Sequence, residues 1–315
     1  MNEHFLSHDA AHIHHRWNHA LAPVLTVRPG DGVLIQCRDS SDGQATRDTT
    51  AEQWMRRDQD RIHALTGPVF IEGAMPGDVL EVEIRSIRHF GWGWSSIIPG
   101  LGFLSERFTE PYFFVWELEE HYSRSMAPAV VPLDPFCGIM GVARAQAGEF
   151  RTRQPGIFGG NLDVRQLTRG ATLYLPVQVA GALFSCGDAH AAQGDGEVCI
   201  NGIEMPSEVE LRFKVRRDFH LRGPFAETGV PFPKMTDLGS WIVIESDEDV
   251  LAAARRATDR VIDFLVERYH FTPENAYVLC SATMDLKLAQ VVNAPVFTAT
   301  ASLPKNVLAG TGMKL

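Results

Sequence analysis

The residues Ser185-Cys186-Gly187-Asp188-Ala189-His190-Ala191-Ala192-Gln193-Gly194-Asp195-Gly196-Glu197 place three carboxylates, an imidazole and a carboxamide between two apolar, strand-forming stretches. In an extended segment, side chains two apart leave the same face, which pairs Asp188 with His190 and Asp195 with Glu197. Glycines at 187, 194 and 196 permit close backbone approach beside the acids. One histidine among clustered carboxylates composes a coordination sphere for zinc or manganese, or for calcium or magnesium where oxygen dominates. The competing reading is a long hairpin loop whose acids are simply solvated, and the residues alone leave both open. A second segment, Gly159-Gly160-Asn161-Leu162-Asp163, offers two polar side chains at the same spacing, either as ligands or as an Asx turn serving nearby amides.

Other chemistry is less well supported. Six of the 12 histidines fall before residue 20, at His4, His8, His12, His14, His15 and His19. A metal-binding tract is one reading; a disordered or surface arm is the preferred one, with His15 and Trp17 ordered next to the first strand. Cys186 could act as a nucleophile with His190 as its base, but Asp188 and Asp195 would discourage a thiolate. Cys37, Cys137, Cys199 and Cys280 lie in apolar stretches and read as core. No P-loop or Gly-x-Ser-x-Gly elbow occurs, and Gly91-Trp92-Gly93 lacks the setting of a dinucleotide fingerprint.

The elements that must hold these residues are mostly strands. Residues 24–27, 33–37, 69–72 and 79–84 are β-branched or alternating runs. Pro29-Gly30-Asp31 and Pro76-Gly77-Asp78 each precede one of them, as a recurrent turn or a faint duplication. Strands are expected again at 172–179, 182–185, 197–200 and 208–215, with Asn201-Gly202 turning a hairpin. Residues 49–63 suit a short charged helix, and 91–102 a Gly-rich loop. After Ser246-Asp247, apolar residues at Val250, Ala254, Ala257, Val261 and Phe264 mark an amphipathic helix. Thr272-Pro273 starts another, and residues 285–292 are also expected to be helical. The sum is a β-dominated α+β fold, an antiparallel sandwich or barrel rather than alternating βαβ units. The expected division is a β-rich body over residues 1–220 carrying the acidic motifs, with a C-terminal α/β portion over 221–315 packed on it. One continuous unit is the alternative.

Composition narrows the partners. The 315 residues are 45% hydrophobic, with 29 Lys+Arg against 39 Asp+Glu and a formal charge of −10. That balance repels phosphate backbones and anionic membranes. No apolar run approaches the roughly 18–20 residues of a membrane helix, and the N-terminus lacks a secretory pattern. Five irregularly spaced cysteines do not make a disulfide framework. A soluble, reduced, cytoplasmic protein is expected.

The segment Gly187-Asp188-Ala189-His190-Ala191-Ala192-Gln193-Gly194-Asp195-Gly196-Glu197 resembles the hallmark of the acetamidase/formamidase family, and Gly159-Gly160-Asn161-Leu162-Asp163 resembles its second signature. Blocks at 67–78, 135–143 and 285–293 also have counterparts in order, so the resemblance runs from about Trp17 to about Asn293. It implies a jelly-roll-like β sandwich with an added α/β portion, forming a homo-oligomer that hydrolyses short aliphatic amides. Some relatives resemble lactamases. Going beyond the motif, amide hydrolysis by a metal-activated water would place Asp163, Asp188 and His190 as ligands of a divalent metal, zinc first and calcium second. Asp195 or Glu197 would be the catalytic base, and Asn161 and Gln193 would bind the substrate carboxamide. A Cys186-dependent amidase and a non-catalytic small-molecule binder are the alternatives.

Overall fold

The pattern Ser-Glu-Val-Glu-Leu-Arg-Phe-Lys-Val-Arg of strand Ser207–Arg216 buries Val209, Leu211 and Phe213 and turns its charged residues outward. This is the period-two alternation of a sheet covered on one face. Val79–His89 does the same beside it, antiparallel in register with Leu211 opposite Ile84 and Phe213 opposite Val82. The computed structural model describes residues 2–228, 239–290, 295 and 297–311. These two strands form the centre of a six-stranded sheet, ordered Glu3–Leu6, Gly32–Cys37, Ser207–Arg216, Val79–His89, Thr172–Pro176 and Phe225–Glu227.

A nine-stranded sheet packs against it. Its main path runs Gly159–Asn161, Phe136–Gly141, Phe184–His190, Glu204–Met205, Trp92–Ile97 and Tyr112–Glu117, with Leu65–Ile71 joined to Phe184–His190 from the side. One continuous apolar core lies between the sheets. Strand pairing is antiparallel except where Glu3–Leu6 meets Gly32–Cys37 and where Leu25–Val27 meets Leu65–Ile71. The β-dominated α+β class is therefore found as expected, with the two sheets as its sandwich.

The C-terminal part adds a three-stranded antiparallel sheet, Ser240–Asp247, Phe297–Pro304 and Asp285–Gln290, and two helices. Helix Val250–Tyr269 is capped by Asp249, whose side chain accepts from the Leu251 and Ala252 amides. It buries Ala254, Ala257, Val261 and Leu265. Helix Pro273–Thr283 begins at the cap Thr272 with proline in its first turn, as the dipeptide predicts. Its Tyr277 and Cys280 enter the main core.

Five local expectations need correction. Residues 285–290 are a strand, because Leu286 and Leu288 pair in register with the central strand of the small sheet; residues 291–292 of that expected helix lie outside the described residues. The supposed loop at 91–102 contains strand Trp92–Ile97, whose Trp94 is fully buried. No hairpin forms at Asn201-Gly202: residues 197–200 are irregular, and the Asn201 side chain is occupied by the Ser96 amide and hydroxyl. The N-terminal arm is ordered. Its backbone joins both sheets, and four of its six histidines are spent on His4–Asp31, His14–Ser185, His15–Asp42 and His19–Arg144 contacts. The helix expected over 49–63 shrinks to Ala51–Met55 and a 3₁₀ turn, Gln59–Arg61.

Candidate active site

Residues directly opposite on antiparallel strands share a face, and a row of such partners builds the site. Phe136 lies opposite His190, His190 opposite Glu204, and Glu204 opposite Trp94, across four neighbouring strands of the large sheet. The edge of Phe136 packs on the imidazole, with centroids 5.1 Å apart. Glu204 Oε1 is 3.0 Å from His190 Nε2, and Asp188 Oδ1 is 3.7 Å from the same nitrogen. Asp163 enters from the end of strand Gly159–Asn161, where the Gly138 carbonyl accepts from the amides of Leu162 and Asp163. Ligand atoms of Asp188, His190 and Glu204 all lie within 4.8 Å of one another, as do those of Asp163, His190 and Glu197.

The backbone departs from the ordinary where these acids sit. Asp163, Asp188 and Glu197 have φ of 48°, 54° and 44°. The left-handed region is rarely occupied by residues other than glycine, and holding a side chain there costs on the order of 1–3 kcal/mol. Gly138 explains how two of them converge. A Cβ on Gly138 would stand 2.5 Å from Asp163 Oδ1 and 3.1 Å from Asp188 Oδ2.

The imidazole has a defined tautomer. Gln193 Nε2 donates to the Asp163 carbonyl at 2.9 Å, which turns Gln193 Oε1 to His190 Nδ1 at 2.7 Å. Nδ1 therefore carries a proton, and in the neutral ring the Nε2 lone pair faces the carboxylates. Both ends of Gln193 are consumed in this way, so it positions His190.

Four carboxyl groups crowd around one imidazole. Burial, followed by the Asp188 carboxylate, pushes Asp163 up to about 7. Burial likewise lifts Glu204 to about 7 against the pull of His190. Burial and Asp163 raise Glu197 well above its ordinary value. Burial opposes ionisation of Asp188 too, but His63 and His190 outweigh it and hold this carboxyl below the usual range. His190 is raised because Glu204 and Asp188 overcome its desolvation. Asp163 Oδ1 and Glu204 Oε2 are buried with no hydrogen-bond partner, and His190 Nε2 has only carboxylates beside it, Glu204 Oε1 nearest at 3.0 Å. Buried, unsatisfied groups of this kind cost stability, so the cluster is not a device for holding the fold. Carboxylate oxygens and one imidazole nitrogen fit a divalent cation, whose bonds would satisfy these orphaned atoms.

The acids open into a cavity of about 170 Å³, also lined by Trp54, Arg57, Ile62, His63, Trp94, Arg153, Asn161 and Asn201. That volume is below the few hundred Å³ of a drug-sized site and suits a molecule of a few heavy atoms. Asn161 is held by donation from Nδ2 to the Arg153 carbonyl at 3.3 Å, and its Oδ1 is buried and unpaired. Of the residues singled out from sequence, Asn161, Asp163, Asp188 and Glu197 line the cavity, with His190 behind them. Asp195 does not: its carboxylate accepts from Gln166 Nε2 at 3.1 Å, away from the cluster. The turn at residues 195–196 breaks the extended geometry that would have kept Asp195 and Glu197 on one face. Cys186 is fully buried between the sheets, 3.9 Å from Cys37 Sγ. Hydrogen bonds with Cys137 and Cys37, together with burial, raise its thiol well above the ordinary value, which removes it as a nucleophile. Sequence reading missed Glu204 and His63; the only mark of Glu204 was an acid set between Ile203 and Met205.

Comparison with known proteins agrees with this architecture. The acetamidase/formamidase family model matches residues 2–148 and 143–309. A formamidase of Methylophilus methylotrophus is 26% identical, covering 94% of this chain and 89% of its own. A crystal structure of an acetamidase from Bacillus halodurans is 33% identical, with TM-score 0.67 over 98% of this chain and all of the other. A gamma lactamase from Delftia acidovorans shares the fold at TM-score 0.89, with 24% identity over 96% of this chain and 93% of that one. Fold and site thus define a β-sandwich hydrolase with an acidic, histidine-containing centre. The chain belongs to the acetamidase/formamidase family.

Proposed function

We propose that the cavity hydrolyses short aliphatic amides of the formamide and acetamide type to a carboxylate and ammonia, using water activated at the acidic cluster. The observation that carries this reading is the convergence of Asp163, Asp188, Glu197 and Glu204 on one small cavity, with His190 beside them and Asp163 Oδ1 and Glu204 Oε2 unpartnered, in a chain of this family. An amide resists water because resonance protects its carbonyl and its nitrogen leaves poorly. Hydrolysis therefore needs an activated nucleophile, a stabiliser for the oxyanion and a proton for the nitrogen.

Asp163, Asp188, His190 and Glu204 are the ligand set for a divalent ion. The mixed nitrogen and oxygen donors favour zinc over calcium, which prefers oxygen throughout. Bound there, the ion supplies Lewis-acid activation of water and carbonyl, bringing a water pKa from about 15.7 to about 7. Glu197 takes the proton from water and returns it to the departing nitrogen; burial and the Asp163 carboxylate raise its carboxyl, which favours holding that proton. Asn161 Oδ1 accepts from the substrate –NH₂. Asp195, facing Gln166, is left without a catalytic part.

The test is ammonia release from formamide, acetamide, propionamide and a γ-lactam, with and without chelator, alongside elemental analysis. Chelator-sensitive release with about one divalent ion per chain is expected. His190→Ala should lose metal and activity together; full metal occupancy in that variant would remove His190 as a ligand. Absence of release across the panel, with ligands still raising the melting temperature, would leave a binder instead.

A homo-oligomer in a reducing cytoplasm is part of the same reading. Ile242 and Ile244 are 57% and 61% exposed on the outer face of the small sheet, and all five cysteines are free and buried. A single-chain mass by light scattering would exclude self-association. Among the described residues no helix is long and apolar enough to cross a membrane.

A further inference from the structure

Two guanidinium groups line the same cavity as the acids, and the amide chemistry above uses neither. Arg57 follows helix Ala51–Met55, whose start is fixed by a reciprocal Thr50–Gln53 capping box. Its guanidinium carbon lies 4.3 Å from the Trp54 ring centroid, and its Nη1 donates to the Trp54 carbonyl at 2.8 Å. Its Nε is buried and has no partner. Arg153 comes from the segment before strand Gly159–Asn161, and its Nη2 donates to Gln59 Oε1 at 2.8 Å. Neither arginine makes an ion pair with a described carboxylate, although most arginines of the chain do. The two are close enough to repel: burial, then Arg153, bring Arg57 down to about 10. Unpaired cations held together at a cavity are the counterpart of an anion.

We infer that Arg57 and Arg153 hold a carboxylate on the substrate's acyl chain, so that this enzyme acts on short monoamides of dicarboxylic acids. This rests on the amidase reading and extends it to the substrate class. A planar carboxylate matches the fork of a guanidinium and can be shared between two of them. A dianionic phosphate would be larger in so small a cavity and would be repelled more strongly by Asp163, Asp188, Glu197 and Glu204.

The experiment compares kcat/KM for the monoamides of malonic, succinic and glutaric acids with that for the corresponding neutral diamides, in the metal-loaded enzyme. At least one monoamide should exceed its diamide by about 10- to 100-fold, the range for a charge-assisted contact. Arg57→Gln and Arg153→Gln should each bring that ratio toward one, mainly by raising KM for the acid. Arg57→Lys should restore part of the preference. Arg153 is exposed, so its variant tests the idea without risk to the fold. Succinate should raise the melting temperature of the parent protein more than that of either variant. Neutral amides cleaved as well as or better than the acids, or a ratio unchanged in both variants, would overturn the inference and leave the amidase intact. Failure to cleave any amide would instead overturn the amidase reading.

Discussion

At the scale of single residues, the site depends on one missing side chain. Gly138 leaves the space into which the Asp163 and Asp188 carboxylates turn. Gly138→Ala should weaken zinc affinity by about 10- to 100-fold, the range seen when groups that orient ligands are disturbed. The melting temperature should fall as well, because the same Cβ would stand 2.9 Å from the Asp188 backbone oxygen. Titration with zinc checks this, and undiminished affinity would mean that Asp163 is not a ligand. The residues legible from sequence were those whose relation is set by local geometry: Asp188 and His190, two apart on one strand, and Asp163 after its glycine pair. Glu204 was hidden because its link to His190 is a cross-strand register, which no spacing along the chain encodes. Asp195 was misplaced because one turn sends it the other way.

At the scale of elements, the C-terminal helix Pro273–Thr283 braces the segment that carries Glu197. Tyr277 Oη donates to the Val198 carbonyl. Ser281 Oγ accepts from the Cys199 amide at 3.1 Å and donates to the Asn201 carbonyl at 2.5 Å. The Ser281 carbonyl accepts from the Gly194 amide, and at Gly194 a Cβ would collide with the backbone of Met284. Ser281→Ala leaves the buried Cys199 amide unsatisfied and the Asn201 carbonyl with only the weak Cys199 thiol donor 3.6 Å away, at a cost of about 1–3 kcal/mol. Lower thermal stability and lower kcat are expected, with metal content retained because Asp188, His190 and Glu204 sit on strands. An unchanged kcat would show that the helix does not position Glu197. The helix itself was readable from Thr272-Pro273. Its grip on a segment some 80 residues away was not, since tertiary contacts of this kind leave no period in the chain.

For the whole molecule, the unneutralised cluster couples folding to pH. Asp163 and Glu204, at about 7 in the folded chain, return to ordinary carboxylate values near 4 when it unfolds. Between about pH 4.5 and 7 the folded form therefore binds more protons, and stability falls as pH rises through that window. A raised His190 extends the fall upward, since its contribution is complete below its unfolded value near 6.5 and is lost above it. The chelated protein should melt at progressively lower temperature from pH 5 to pH 7.5, and saturating zinc should flatten the profile. A chelated profile that rises over this range would contradict the cluster's buried charge. The broad β class was legible because alternation and turns recur throughout; which sheet each strand joined was not. Protons held by Asp163 and Glu204 in place of the proposed ion would let the sandwich close first and metallation follow. A chain built this way would reach its finished shape before the proposed ion entered.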